Sequence, residues 1–160
     1  MKFIYLADTH IGGSDSAGYR KQPRYLAHFQ EVIDHLASFI HKERNIDFVM
    51  HGGDMVESAT PDNIEKAVKL FKRLPCPVYL TPGNHDLTAE NSIELWLQAA
   101  PRFFPGGKPD FRITKSGIQL DALACNWCEI PLFWDPDKPQ IPWLTGAQWK
   151  LLDDFDRECS

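Results

Sequence analysis

Short apolar runs alternate with longer amphipathic stretches through roughly the first two thirds of the chain, and this alternation predicts the elements. Phe3 to Ala7, Asp47 to Met50 and Val78 to Leu80 are rich in β-branched or aromatic residues and too short for helices, so each reads as a buried strand. Each breaks at its C-terminal end into glycine or polar residues: Asp8-Thr9-His10, His51-Gly52-Gly53-Asp54 and Thr81-Pro82-Gly83-Asn84-His85-Asp86. The segments between carry helical stripes. From Tyr25, apolar residues recur at Phe29, Val32, Ile33, Leu36 and Ile40; from Ile64, at Ala67, Val68, Phe71 and Leu74. Thr60 and Pro61 supply an N-cap and a first-turn proline for the second helix. A third helix, capped by Thr88, runs through Ile93, Leu95 and Trp96 to a stop at Pro101. The order β-α-β-α-β-α predicts an α/β fold, a parallel or mixed sheet with flanking helices and right-handed crossovers.

The region 101–144 differs in character. Seven of the twelve prolines fall between Pro101 and Pro142, and the region also holds Trp127, Trp134 and Trp143. Phe111 to Thr114, a turn at Lys115-Ser116-Gly117, and Ile118 to Ala124 predict a hairpin. The remainder, with Pro131, Pro136, Pro139 and Pro142, reads as a long structured loop. Thr145-Gly146-Ala147-Gln148 is a capping-box pattern opening a last amphipathic helix through Trp149, Leu152 and Phe155.

Length and composition narrow the classes. A chain of 160 residues with 43% hydrophobic and 24% charged residues suits one compact domain. Seventeen Lys and Arg against 22 Asp and Glu give a net charge of −5, which argues against a general grip on nucleic acid. That acidity leaves room for a metal-dependent enzyme acting on phosphates. No apolar run reaches the length of a membrane span, and the start, Met1 to Asp8, is too short an apolar stretch for a signal peptide. Four cysteines without such a signal read as reduced thiols, hence a cytoplasmic protein.

The polar breaks carry the chemistry. In an open parallel sheet, ligands bind beyond the carboxyl ends of the strands, where all three breaks fall. Asp8 and His10 sit two apart, so on extended backbone their side chains point the same way. Asp54 follows two glycines that permit a sharp turn, and Asn84 and His85 follow Pro82-Gly83. Converging Asp, His and Asn side chains offer mixed oxygen and nitrogen ligands suited to manganese, iron or zinc.

Asp8-x-His10, Gly53-Asp54 and Gly83-Asn84-His85-Asp86, in this order, resemble the calcineurin-like metallophosphoesterase family. The resemblance implies the N-terminal part of that family's α/β sandwich and a hydrolase that cleaves phosphodiester or phosphomonoester bonds through a metal-activated hydroxide at a site with two divalent ions. It implies that Asp8 and His10 bind the first ion, that Asp54 bridges both and that Asn84 binds the second. His85 would contact the phosphate and help the leaving group depart, oriented by Asp86. The family pattern continues with further histidines, including a Gly-His-x-His motif, whereas here all six histidines lie at or before His85. Residues 1–160 therefore read as a single, truncated metallophosphoesterase domain, whose exposed sheet edge would favour self-association.

Other residues take plainer readings. His51 reads as a buried or edge histidine, His28 and His35 as part of a solvated helix face, and Glu57, three residues after Asp54 and in reach of the site entrance, as a polar residue of the loop leading to the second helix. Lys69, Lys72 and Arg73 form a solvated face. Cys125 and Cys128 make a C-x-x-C without the second pair that zinc needs, and Cys76 and Cys159 are isolated, so the pair reads as packing. Trp127, Phe133, Trp134 and Trp143 either line a substrate pocket or fill space beneath the loop. The acidity favours a small phosphate ester over DNA. The competing class is a degenerate scaffold, or inactive fragment, that serves as a binding module.

Overall fold

The computed structural model describes residues 1–13, 26–126, 135, 137 and 141–158. Strand β1 (Phe3–Leu6), helix α1 (Leu26–Glu43), β2 (Phe48–His51), α2 (Pro61–Phe71), β3 (Val78–Leu80) and α3 (Ser92–Ala99) follow in the predicted alternation. The strands form a parallel sheet in the order β1-β2-β3, with Leu6 opposite His51 and His51 opposite Leu80. Parallel strands in this register end together, so their polar breaks share one edge with β2 at its centre.

Strand β2 is buried along both faces. Val49 faces the main core, built from Ile33 and Ile40 of α1, Ile64, Ala67, Val68 and Phe71 of α2, and Trp96 of α3. Phe48 and Met50 face the other way, against Phe111 and Ala122. Those two residues belong to a separate antiparallel hairpin, β4 (Phe111–Lys115) and β5 (Ile118–Ala122). Helices, sheet and hairpin thus form three layers. The hairpin turn is Ser116-Gly117, both at positive φ, which matches the right-handed twist of the strands it joins. Lys115 accordingly lies in the strand rather than the turn, and β5 ends two residues earlier than its apolar run.

Helix α2 starts as its sequence predicts: the Thr60 hydroxyl accepts the amide of Asn63 at 3.2 Å, with Pro61 in the first turn. Helix α1 buries Ile33 and Ile40, but Val32, one step off that stripe, is 51% exposed. Thr88 does not cap α3. A short 3₁₀ turn, His85–Leu87, comes first, the Thr88 hydroxyl accepts the amide of Ala59 at 2.9 Å, and Asn91 occupies the cap position. Two further 3₁₀ turns, Pro101–Phe103 and Pro105–Gly107, were not apparent from the sequence pattern.

Helix α4 (Gly146–Glu158) opens on a complete capping box. The Thr145 amide donates to Gln148 Oε1 at 3.0 Å and the Gln148 amide to Thr145 Oγ1 at 3.2 Å. The buried Gln148 side chain also donates to Asp110 Oδ1 and the Ala124 carbonyl, and accepts from Asn126 Nδ2. Trp149 is 56% exposed, off the packed face. Tyr25, Trp127, Cys128, Pro131, Phe133, Trp134, Pro136, Pro139 and Cys159 lie outside the described residues, as does the side chain of Phe155. No described helix is long and apolar enough to cross a membrane.

Candidate metal centre

Hydrogen bonds continue the ladder between the first two loops beyond the strands. The amides of Asp8, His10 and Ile11 donate to the carbonyls of Gly53, Asp54 and Met55 at 2.9–3.0 Å, and the Glu57 amide returns a bond to Ile11. The path is not extended. Asp8, His10 and Asp54 have φ of 59°, 46° and 53°, a left-handed conformation uncommon for residues other than glycine but several-fold enriched in Asp and His. Asp8 and His10 therefore converge through local turns, not through the same-face alternation of a strand.

The third loop closes onto the second at a glycine–glycine contact. At Gly53, with φ of +107°, a Cβ would stand 2.8 Å from Gly83 Cα; at Gly83, a Cβ would stand 2.3 Å from Asp54 Oδ1. This lets the His85 amide reach Asp54 Oδ1 at 3.0 Å. Asp54 is thereby shared between the loops, with its other oxygen, Oδ2, 3.9 Å from His10 Nε2.

Asp86 fastens the same junction from below. Its wholly buried carboxylate accepts the amides of Gly83, Met55 and Val56 at 3.0, 3.2 and 3.1 Å. Burial pushes this carboxyl up to about 7 despite those amides, and the charge of Asp54 adds to the rise. The Trp96 indole donates to the Asp86 carbonyl at 3.1 Å. His51 is also fully buried, as the sequence suggests. Its Nε2 lies 3.1 Å from the Thr9 hydroxyl, which itself donates to the Met55 carbonyl. The hydroxyl proton is thus committed, so His51 Nε2 is the donor in their shared bond. Burial, reinforced by His10, lowers His51 to about 3.

Three donors cluster above this floor. Asp8, His10 and Asp54 each offer one ligand atom, and these lie within 4.8 Å of one another. Both imidazole–carboxylate separations are 3.9 Å. That is too long for hydrogen bonds and somewhat wider than the ~2.8–3.6 Å between two ligands each bound ~2.0–2.2 Å from one divalent ion. The donor set thus fits a cation once the side chains draw in by a few tenths of an ångström. The Asn84 side chain makes no cap hydrogen bond at the 3₁₀ turn that it precedes.

Glu57 is more than the polar loop residue that its position in the sequence suggests. Its carboxylate Oε2 sits 3.0 Å from His10 Nδ1, and its carbonyl is 2.7 Å from His85 Nδ1. The two imidazole rings meet edge to face at 4.7 Å. The resemblance gave Asp86 the orienting of His85; here the Asp86 carboxylate serves backbone amides, and the Glu57 carbonyl meets Nδ1 of His85. The signal was the spacing Asp54-x-x-Glu57, which puts Glu57 three residues beyond a site carboxylate and in reach of the site entrance.

The remaining residues take outer positions. His28, His35, Lys69, Lys72 and Arg73 are exposed. Cys125 carries a free thiol that burial and the charge of Asp54 push up, and its amide donates to the Pro82 carbonyl at 3.0 Å. A groove of about 1070 Å³ lined by Phe71, Cys76, Tyr79 and Phe103 opens beside β3 and contains none of the clustered donors.

Residues 1–154 match the family described as Calcineurin-like phosphoesterase. The chain is 33% identical over 93 residues to the DNA double-strand break repair protein Mre11 of Methanococcus maripaludis, covering 54% of this chain and 23% of that protein. It is 31% identical over 96 residues to the Mre11 of Archaeoglobus fulgidus, covering 57% and 20% respectively. To the probable glycerophosphodiester phosphodiesterase GpdQ of Arcobacter nitrofigilis it is 30% identical over 91 residues, covering 57% and 32%. The matched segments thus span no more than a third of any of these relatives.

Proposed function

Because this chain belongs to the calcineurin-like phosphoesterase family, we propose that it is a metal-dependent hydrolase of phosphate esters whose ions are held by Asp8, His10, Asp54 and Asn84. The observation that carries this reading is the Asp8–His10–Asp54 cluster, gathered close to ligand spacing. Two divalent ions (manganese, iron or zinc) would, when bound, acidify water and offset the charge of the phosphate. Asp54 stands where two loops meet and offers one oxygen to each side, which suits a bridging role. His85 is the catalytic candidate. With Nδ1 against the Glu57 carbonyl, its proton traffic runs through Nε2, where it can hold or release a proton at the leaving oxygen. Asp86 supports it from beneath by holding the Gly83 and Met55–Val56 backbones in place.

A small phosphodiester is the favoured substrate, on the net charge of −5 and on the likeness to GpdQ. The likeness to Mre11 favours a second reading, DNA ends. Free thiols at Cys76 and Cys125 fit a reducing cytoplasm. Edge strand β1, with Tyr5 63% exposed, offers a surface for self-association.

The test is manganese-dependent hydrolysis of bis(p-nitrophenyl) phosphate, p-nitrophenyl phosphate and a short DNA duplex, with Asp54→Asn as control. Turnover of the first that disappears with chelator and with Asp54→Asn supports the reading. Preference for the duplex transfers it to DNA. No turnover of any substrate would leave the chain a scaffold for binding.

A further inference from the structure

The groove beside β3 gathers around the N-terminal end of that strand, away from the polar breaks that carry the candidate centre. Its volume, about 1070 Å³, is at the upper end for small-molecule sites, which run to ~1,000 Å³. Buried Phe71, Val78, Ala100 and Phe103 line it, together with half-buried Cys76 and Tyr79. The charged residues of the lining are Lys72, where α2 ends, and Arg102, in the 3₁₀ turn after α3, and both are exposed. Neither makes a salt bridge among the described residues, and no described acidic residue joins them in the lining. In a chain of net charge −5, this groove is locally cationic.

The backbone around the groove has little left to offer a ligand. The amides of Lys72, Leu74 and Phe103 donate to the carbonyls of Val68, Phe71 and Ala100 at 2.9–3.1 Å. The Pro77 carbonyl accepts the amide of Val49, and Pro75 and Pro77 have no amide hydrogen to give. An extended peptide therefore finds no strand edge to lengthen at this point. What remains is apolar surface and two cations. We propose that the groove binds an amphipathic anion of small-molecule size, an apolar chain or ring system that ends in a carboxylate or a phosphate. Burial of the apolar part supplies the affinity. Lys72 and Arg102 select the sign of the head group: the guanidinium can grip a carboxylate or phosphate with two bonds, and the ammonium acts as a point charge. A cationic amphiphile of equal length would keep the apolar contacts but meet two like charges. The groove shares no residue with the candidate centre, so the proposal stands or falls apart from the metal-dependent reading.

Cys76 supplies a readout that needs no catalytic activity. Its free thiol lines the groove, whereas the free thiol of Cys125 is exposed beside the third loop, where its amide meets the Pro82 carbonyl. The rate of N-ethylmaleimide labelling at each cysteine is followed by peptide mass spectrometry. The full chain is labelled alone and with sodium laurate, dodecyl phosphate or dodecyltrimethylammonium, each below its micellar concentration. At least one of the two anions should slow Cys76 labelling to a saturating limit and leave Cys125 unchanged, and the cation should slow neither. The more effective anion identifies the head group as carboxylate or phosphate. Calorimetry should then give one site per chain, weakened roughly tenfold in the double variant Lys72→Gln/Arg102→Gln. Both side chains are exposed, so the variant keeps the core intact.

Labelling of Cys76 that neither anion slows, equal slowing by the cation, or equal slowing at Cys125 overturns the proposal. A double variant with wild-type affinity overturns it as well, because the two cations would then have no part in binding. So does labelling of Cys76 that is slow without any amphiphile and quickens on dilution, since the groove would then be covered by a second copy of the chain.

Discussion

Asp47 and Asp86 each staple separate parts of the chain, at opposite ends of the parallel sheet, and they do so under opposite electrostatic conditions. Asp47, just before β2, accepts the Lys2 amide at 2.7 Å and the Lys115 ammonium at 2.5 Å, tying β1 and the hairpin together. The Lys115 bond, then the Lys2 amide, holds its carboxyl below the usual range. Asp86, just after β3, accepts three backbone amides while fully buried, and burial drives its carboxyl up to about 7. A cation within reach of water makes the charge of Asp47 cheap to keep. Asp86 has only amide dipoles, and desolvation outweighs them. The end of the sheet that carries the candidate site is thus held by a dry polar junction, and the other end by screened ion pairs.

The comparison breaks most visibly at Asp86. Replacing it with alanine leaves three buried amides without their acceptor, at a cost of ~1–3 kcal/mol each. Asp86→Ala should therefore fail to fold or lose most of its stability in urea; a loss of under ~1 kcal/mol would show that the junction is not structural. Gly83→Ala comes next. Its Cβ would meet Asp54 Oδ1 at 2.3 Å and the Asp54 amide nitrogen at 2.7 Å. Overpacking of this kind costs ~1–3 kcal/mol, and manganese affinity should fall with it because the clash falls on Asp54. An alanine variant with wild-type affinity would mean that the two loops do not need this contact.

Proton linkage sharpens the comparison. His51, lowered to about 3, binds fewer protons when folded than unfolded, so its contribution to stability rises with pH between about 3 and 6.5. Asp86, raised to about 7, binds more protons when folded, so its contribution falls as pH rises from about 3.8 to 7. Over the shared window the two cancel, and metal-free wild type should be nearly flat. Asp86→Asn should expose a rising slope, and His51→Gln a falling one, each approaching ~1.4 kcal/mol per pH unit in urea melts. Equal slopes in the two variants would remove the buried-pair account.

The smallest effect belongs to the open end. Lys115→Ala should lower the melting temperature only slightly, and less still in high salt. Asp47 is depressed when folded, so its contribution is present above about 3.8 and disappears as pH falls through the folded value. A salt-insensitive loss at neutral pH would place packing, not charge, at that end.

Features governed by near neighbours were the ones legible in the chain. The three strand ends, the Thr60 cap, the hairpin and the Thr145–Gln148 capping box each depend on residues within a few positions, where periodicity and cap chemistry act. Thr88 was misread because a hydroxyl at a cap position was claimed by Ala59, an amide from another loop. Val32 was misread because an apolar residue beside a stripe need not face the core. The candidate site was legible as a set of residues but not as a wiring scheme. The left-handed turns at Asp8, His10 and Asp54 and the reach of Glu57 exist only once the loops have closed on one another.

Gln148 has a consequence for the order in which a ribosome delivers this fold. Its single amide group serves Asp110, Ala124, Asn126 and Thr145, and the segment that it pins, 124–126, is the one that reaches back to Pro82 in the third loop. The βαβ half can close as soon as β3 and α3 have left the exit tunnel. The hairpin layer has to wait with its polar groups open to water until residue 148 emerges. A nascent chain stalled before Thr145 should therefore protect the amides of β2 from exchange well before it protects that of Ala124, whose acceptor, Asp110 Oδ1, is held by Gln148.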